Sequence, residues 1–145
     1  MLDWSLLLAE LEQPDFELLR QYLRKLYINV LELADENGFT LLHHAVLKGQ
    51  DGKVKQVINL ADTLQKPSKQ EVQQWCNMRT HKDQFSALHL ASYRGNMDAA
   101  RTLIAYGADM HAENFFGLNM VHVAAQGDQA TTLYFFKTQG IDINK

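Results

Sequence analysis

Three segments of the chain begin with a hydroxyl or amide residue, and the same residue types follow at the same offsets. Thr40, Ser86 and Asn119 are each followed three residues later by histidine and five residues later by alanine. The last two segments begin 33 residues apart, and Gly107 recurs at that distance as Gly140. A fixed period of this length is typical of stacked helix–turn–helix units, each of which buries its apolar face against its neighbours.

A histidine lies within an apolar helical pattern in each segment, as His43, His89 and His122. A single histidine on an apolar face is more often a buried, hydrogen-bonded group than a catalyst or a ligand. The repetition favours that interpretation, because every unit of a stack needs the same internal contacts. We therefore assign these histidines a structural role.

The stretches DENGFTLLHHAVLKGQ and SALHLASYRGNMDAARTLIAYGADMHAENFFG carry most of this pattern. They resemble ankyrin repeats, whose pattern is D-x-x-G-x-T-P-L-H-x-A-A-x-x-G, then a second helix and G-A-D-V-N. The resemblance covers about residues 34–145 and implies an all-α ankyrin-repeat solenoid, with stacked helix-turn-helix pairs and β-hairpin or loop fingers. It also implies that Thr and His side chains tie the hairpin base of one repeat to its neighbour.

Turn residues predict where the repeats depart from one another. Gly38 and Gly117 fall where a tight hairpin needs a positive φ, whereas Gln84 replaces that glycine in the middle repeat. We expect the middle hairpin to be less regular. Gly127 comes one residue earlier than the pattern requires, so we expect the turn between the two helices of the last repeat to be shortened or shifted.

Residues 1–33 lack the histidine and glycine landmarks but contain two amphipathic helical patterns, and Pro14 suits the first turn of the second helix. We interpret this segment as a capping repeat whose outer face can remain polar, because nothing stacks on it. The predicted organisation is an N-terminal capping repeat at 1–33, an ankyrin repeat at 34–62, an inserted helical connection at 63–76, and ankyrin repeats at 77–112 and 113–145.

The inserted connection is inferred from the spacing of 46 residues between Thr40 and Ser86, which exceeds the 33-residue period by 13. Within it, Ser68 and Glu71 have the spacing of a capping box, which predicts a helix over about residues 69–76. Trp75 can dock this helix. The insertion is either a tolerated surface element or a dedicated binding element.

The last predicted repeat contains Leu133, Phe135 and Phe136, and no polar terminal repeat follows to cover them. We therefore expect further repeats after residue 145 in a longer parent protein.

Composition and charge exclude several classes of partner. The net charge of −3 and the pI near 6.0 give no general attraction to nucleic acid. The N-terminus has no basic lead segment, and no apolar run reaches the roughly 18 residues that a membrane helix needs. We expect a cytosolic, monomeric chain that does not itself insert into a membrane. The single cysteine, Cys76, cannot form an internal disulfide.

Catalytic and metal-binding motifs are not apparent in the sequence. It has no nucleophile elbow, phosphate loop, H-E-x-x-H or C-x-x-C motif. His43 and His44 are adjacent, so on a helix they point about 100° apart and cannot chelate one metal from one face. We expect no catalytic residue, metal or cofactor, and no enzymatic activity in this chain.

A protein or peptide ligand is the expected partner, because ankyrin stacks present their fingers and inner helices as one concave surface. Finger residues Glu36, Asn37, Lys82 and Asp83 belong to that surface. The residues that we predict to bind the partner are Phe39, Leu47, Lys48, Phe85, Tyr93, Arg94, Phe115, Phe116, Leu118 and Gln126. Aromatic residues and Arg dominate interface energetics, although the phenylalanines could instead fill the spaces between hairpins.

The stretches NMVHVAAQGDQ and LYFFKTQGIDIN also resemble a repeat of the ankyrin-bearing DHHC-type protein S-acyltransferases (palmitoyltransferases), especially those of protists. This resemblance implies a substrate-recruiting domain on the cytosolic face of an internal membrane, attached to a catalytic domain that is absent from this chain. Some members place a substrate-contacting Trp after the repeat His, where this chain has His44, Leu90 and Val123. The alternative is a free-standing ankyrin scaffold or inhibitor.

Overall fold

The computed structural model describes residues 2–141, and within that range the chain forms nine α-helices and one short 3-10 helix. The helices are α1 (Trp4–Leu11), α2 (Glu17–Lys25), the 3-10 helix (Val30–Glu32), α3 (Leu41–Lys48), α4 (Lys53–Gln65), α5 (Lys69–Cys76), α6 (Ala87–Arg94), α7 (Met97–Ala105), α8 (Met120–Gln126) and α9 (Ala130–Thr138). The one β pairing described in that range is an antiparallel bridge between Ala34 and Thr40. The predicted all-α class is confirmed.

The helices stack as pairs in two layers. The inner helices α3, α6 and α8 pack side by side, and each also packs against the outer helix that follows it, α4, α7 or α9. Ala45, Ala91 and Ala124 are fully buried on the inner helices. Because their side chains are small, they allow these helices to approach one another closely.

Each inner helix begins with a capping box between the first residue of the repeat and its histidine. Thr40 Oγ1 accepts a hydrogen bond from the His43 backbone N–H at 3.3 Å, and His43 Nδ1 accepts one from the Thr40 N–H at 3.1 Å. The pairs Ser86–His89 and Asn119–His122 form the same box. This reciprocal bonding satisfies two backbone N–H groups at the start of each helix, and so explains why the three-residue offset repeats.

The other ring nitrogen of His43 connects two repeats. Because Nδ1 accepts a hydrogen bond, Nε2 carries the proton and donates to the Phe85 carbonyl at 2.9 Å. The predicted tie between neighbouring repeats is therefore present at His43. His89 Nε2 makes no well-formed hydrogen bond among the described residues, although the carbonyl of Leu118, the equivalent of Phe85, is close enough to influence its pKa.

The loops that precede the inner helices project as three fingers, which close at residues 35–39, 80–85 and 114–118. In the first and third fingers the side-chain oxygen of Asp35 or Asn114 accepts two backbone N–H bonds across the turn. The second finger closes from Thr80 to Phe85, one residue longer than its counterparts, and uses the Thr80 hydroxyl instead. It is therefore less regular, as predicted, but Gln84 itself keeps the turn's positive φ, at 57°.

Adjacent fingers are joined through their backbones. The His81 N–H donates to the Asn37 carbonyl, and the Phe115 N–H donates to the Asp83 carbonyl, both at 3.0 Å. These two bonds hold the fingers in a row above the inner helices.

The capping segment differs from its prediction in two respects. Pro14 precedes α2 by three residues and does not lie in its first turn, because Phe16 is the N-cap and α2 begins at Glu17. The outer face is also not uniformly polar, since the side chains of Leu6 and Leu18 are 42% and 65% exposed.

The turn between α8 and α9 is not shortened, but it begins one residue early, because α8 is capped by Gly127 eight residues after Asn119 whereas α6 is capped by Gly95 nine residues after Ser86. The left-handed residue of the turn keeps its position. Asp128 lies nine residues after Asn119, as Gly95 lies nine after Ser86, and it adopts the left-handed conformation itself with a φ of 57°. Gly127 has an ordinary φ of −83°. Glycine is therefore not needed here for a positive φ. It is needed for a steric reason, because the Tyr93 backbone lies close to its Cα.

The inserted helix predicted from Ser68 and Glu71 is present as α5. The Ser68 hydroxyl accepts from the Glu71 N–H at 3.1 Å, and the Glu71 carboxylate accepts from the Ser68 N–H at 2.9 Å. Trp75 is 2% exposed and anchors the helix in the core. The α5 region also contacts the 3-10 helix and the turn after α7, where the Asn77 side chain donates to the Gly107 carbonyl at 3.0 Å.

The end of the described chain is better covered than we predicted. Phe136 is fully buried, while Leu133 and Phe135 are partly buried. On α9 the large exposed side chain is Tyr134, at 70%. The final part of the predicted last repeat, residues 142–145, lies outside the described residues.

Candidate functional site

The main cavity of the concave surface is a groove of about 630 Å³ between the first two fingers and the inner helices. It brings together six of the residues that the sequence analysis predicted to bind a partner. These six are Phe39, Leu47, Phe85, Tyr93, Arg94 and Gln126.

Two phenylalanines of the groove also pack against the structural histidines. The Phe39 ring centroid lies 5.6 Å from that of His43, and the Phe85 centroid lies 5.9 Å from that of His89. Both phenylalanines are partly buried. Both phenylalanines therefore support the fingers and still present a ring edge to the groove. Filling the space between hairpins and contacting a partner are thus compatible roles for these residues.

Tyr93 and Arg94 lie at the end of α6, on the rim of the groove. Tyr93 is 47% exposed, so its ring is accessible to a ligand. The guanidinium of Arg94 donates to the Leu47 carbonyl at 3.1 Å, which positions the Arg94 cation over the end of α3. An accessible aromatic ring beside a positioned guanidinium is a combination that is frequent in protein interfaces.

Four of the predicted residues lie outside the groove. Lys48 Nζ pairs with Glu12 in the capping segment at 3.2 Å. Phe115 and Phe116 are each 64% exposed at the tip of the third finger, with their rings edge-to-face at 5.3 Å. Leu118 is partly buried and occupies the position in the third finger that Phe39 has in the first.

The groove also contains residues that we did not predict. Thr80 and His81, at the start of the longer second finger, line it. Leu90 and one edge of His89 form part of its floor. Leu90 directly follows the repeat histidine on the inner helix, so its offset from Ser86 was a signal that could have identified it.

The metal-ligating side chains and the cysteine are the groups of the described residues that a metal or thiol site would use. Among them, no group of three or more His, Cys, Asp or Glu side chains could hold a metal ion. Burial raises the pKa of the Cys76 thiol from 9.0 to about 12, so this cysteine is protonated at neutral pH and is a poor nucleophile. None of the described helices is long and apolar enough to cross a membrane.

The buried thiol gives a direct test of the core around α5. We expect native protein to react with a disulfide reagent about a thousandfold more slowly than the unfolded chain, because the raised pKa of Cys76 depletes the thiolate. The measurement is the rate of release of a coloured thiol from the reagent, with and without denaturant. A fast reaction by protein that keeps its native circular dichroism would contradict the burial of Cys76.

Sequence comparison assigns the repeated units to a family. The sequence model described as ankyrin repeats (three copies) matches residues 59–145. The chain belongs to the ankyrin-repeat family. The ankyrin repeat is a non-catalytic, protein-binding fold, and this chain is accordingly a protein–protein interaction domain.

Two individual proteins are similar to this ankyrin-repeat chain. Ankyrin repeat domain-containing protein 49 of Bos taurus is 52% identical over 31 residues, a match that covers 21% of this chain and 13% of that protein. A chain from the crystal structure of the yeast ribosomal protein Rps3 with its chaperone Yar1 superposes with a TM-score of 0.79, at 20% identity and 98% coverage of both chains. The second similarity shows the fold.

Proposed function

We propose that this domain recruits a partner protein by binding an extended segment of it in the concave groove. The observation that carries the proposal is the groove itself, which is large enough for several side chains and is lined by both inner helices and fingers. Its aromatic residues come from different repeats, so a ligand in the groove contacts the stack across its repeat boundary.

The lining of the groove fits a peptide better than a small metabolite. Phe39, Phe85 and Leu90 supply apolar surface, while Lys82 and Asp83 supply charge at the finger tips. Peptide sites commonly combine such apolar contacts with a polar rim.

Tyr93 and Arg94 provide the sharpest test, because both are exposed and their replacement leaves the core intact. Peptides that bind the domain are first selected from a phage-displayed library of random short peptides and then titrated against it. We expect the double variant Tyr93→Ala, Arg94→Ala to bind these peptides roughly thirtyfold more weakly, the effect of losing about 2 kcal/mol at an interface centre.

The matched control removes an aromatic residue and a cation from the outer layer. Tyr134 and Lys137 are both exposed on α9, and Tyr134→Ala with Lys137→Ala should leave the affinity unchanged. Urea unfolding of each variant checks that the fold is intact. Equal affinities for the parent and the folded Tyr93 and Arg94 variant would contradict the groove as the binding site.

A narrower proposal concerns the protein that contains this domain. The resemblance of residues 119–129 and 133–144 to a repeat of ankyrin-bearing palmitoyltransferases supports a recruiting domain on the cytosolic face of an internal membrane. The coding sequence after Lys145 tests this proposal. A D-H-H-C motif between predicted membrane spans would support it, and a stop codon after a polar capping repeat would favour the scaffold or inhibitor alternative.

A further inference from the structure

A second cavity adjoins the groove on the side of the capping segment. This first-finger pocket has a volume of about 440 Å³ and is lined by Trp4, Leu8, Asp35, Glu36 and Asn37. Asn37 lines the groove as well. The two cavities therefore flank Asn37, and a ligand that lies along the concave surface can contact both.

The first-finger pocket combines aromatic surface with negative charge. The indole of Trp4 is partly buried, with its centroid 5.7 Å from the ring of His44. Glu36 is exposed, and its carboxylate has no hydrogen bond or ion pair among the described contacts. An aromatic ring beside a carboxylate is the usual environment for an ammonium or guanidinium group.

Asp35 contributes a second negative charge to this pocket. Burial raises the pKa of its carboxyl, but hydrogen bonds from the Phe39 N–H, the His44 ring and the Asn37 N–H outweigh burial and lower it below 3.8. The carboxylate is therefore ionised at neutral pH. Lys48 lies on the same face of α3 as His44, but it is already paired with Glu12. The pocket has no lysine or arginine among its lining residues, so its carboxylates are not neutralised by one.

The groove itself carries no comparable concentration of negative charge. Of its charged lining residues, Lys82 and Asp83 are adjacent in the second finger and offset each other, and Arg94 lies at the other end of α6, where it donates to the Leu47 carbonyl. A basic side chain of a bound segment is therefore attracted to the first-finger pocket more than to the groove.

We infer that the partner segment carries a lysine or arginine that occupies the first-finger pocket, next to an apolar side chain that occupies the groove. This inference rests on the proposed function and adds the chemistry and direction of its ligand. The cation lies between the Trp4 indole and the carboxylates of Asp35 and Glu36. The apolar neighbour contacts Phe39 and Phe85.

The test uses the same library of random peptides, selected in parallel on the parent domain and on Glu36→Lys. Peptides selected on the parent should be enriched in a basic residue beside an aromatic or large aliphatic one. They should bind Glu36→Lys roughly tenfold more weakly, because the substitution replaces attraction by repulsion. Trp4→Leu, which keeps an apolar side chain, should weaken the same peptides severalfold through loss of the aromatic ring face.

Asp51→Lys is the matched control. Asp51 is exposed in the turn after α3, and the substitution makes the same change in net charge. Asp51 lies beyond the C-terminal end of the eight-residue helix α3, which places it about 12 Å from the fingers. At that distance salt screens its charge from the pocket. Its affinity should match that of the parent, and unfolding curves confirm that each variant folds.

The outcomes separate this inference from the function on which it rests. Selection of no peptide by the parent domain would contradict the groove proposal and the inference together. Peptides that depend on Tyr93 and Arg94 but show no basic preference, or that bind Glu36→Lys as well as the parent, would overturn the inference alone. A basic preference that Glu36→Lys removes and Asp51→Lys retains supports it.

Discussion

At about pH 4.5 the domain should be less stable to unfolding than at about pH 7.5 by roughly 5 kcal/mol, because two buried histidines resist protonation. Burial lowers the pKa of His43 from 6.5 to about 4, and burial lowers that of His89 from 6.5 to about 4 as well. The expected loss is comparable with the total stability of a small domain.

The direction of the effect follows from the number of protons bound in each state. Between about pH 6.5 and 4, each histidine is protonated in the unfolded chain and neutral in the folded one. The unfolded state binds more protons in this range, so acid favours it. The stability contributed by both groups is complete above pH 6.5 and is lost as the pH falls towards 4.

Urea unfolding at a series of pH values measures this dependence. His89→Gln is the informative control, because it removes one titrating group and should reduce the slope of stability against pH by about half. Measurements that stop near pH 4.5 limit the contribution of Asp35, because burial raises the pKa of its carboxyl but hydrogen bonds outweigh burial and hold that pKa below its ordinary value. A parental stability that is constant over this range would show that the two histidines are not buried as described.

The sequence predicts the helix starts because they depend on local contacts, and it predicts the stacking because the same residue offsets recur in each repeat. The capping box of Ser86 and His89 lies within four residues, and that of Ser68 and Glu71 has the same span. Such motifs carry their own hydrogen-bond partners, so spacing alone identifies them. The fold and the helix of the inserted segment could therefore be predicted from residue offsets.

The boundaries of the candidate site could not be predicted in this way, because they depend on how repeats meet. The pattern places Phe39 and Phe115 on one concave surface, but the structure puts only Phe39 in the groove. It also puts His81, which lies in the longer second finger, in the groove. The first-finger pocket requires contact between Trp4 of the capping segment and His44 of the first full repeat, and no local motif encodes that contact.

Gly127 illustrates the same limit, since its sequence position suggested a role in a turn. A Cβ atom built at Gly127 would lie 2.0 Å from the carbonyl oxygen of Tyr93 and 2.9 Å from the carbonyl carbon. Both contacts are far shorter than a van der Waals separation and involve backbone, which cannot rotate away as a side chain can. Glycine is therefore required for α8 to approach the end of α6.

Gly127→Ala should consequently destabilise the domain by roughly 3 kcal/mol, because relief of the overlap requires the two inner helices to move apart. The φ of −83° at Gly127 suits alanine, so backbone strain contributes nothing to this loss. The control is Gly49→Ala, where a Cβ meets nothing within 4 Å but the φ is 75°; its cost should be about 1 kcal/mol. Urea unfolding of both variants gives the comparison.

Because the overlap is with Tyr93, Gly127→Ala should also weaken peptide binding in the groove, whereas Gly49→Ala should not. A Gly127→Ala protein as stable as the parent would mean that α6 and α8 are not in such close contact.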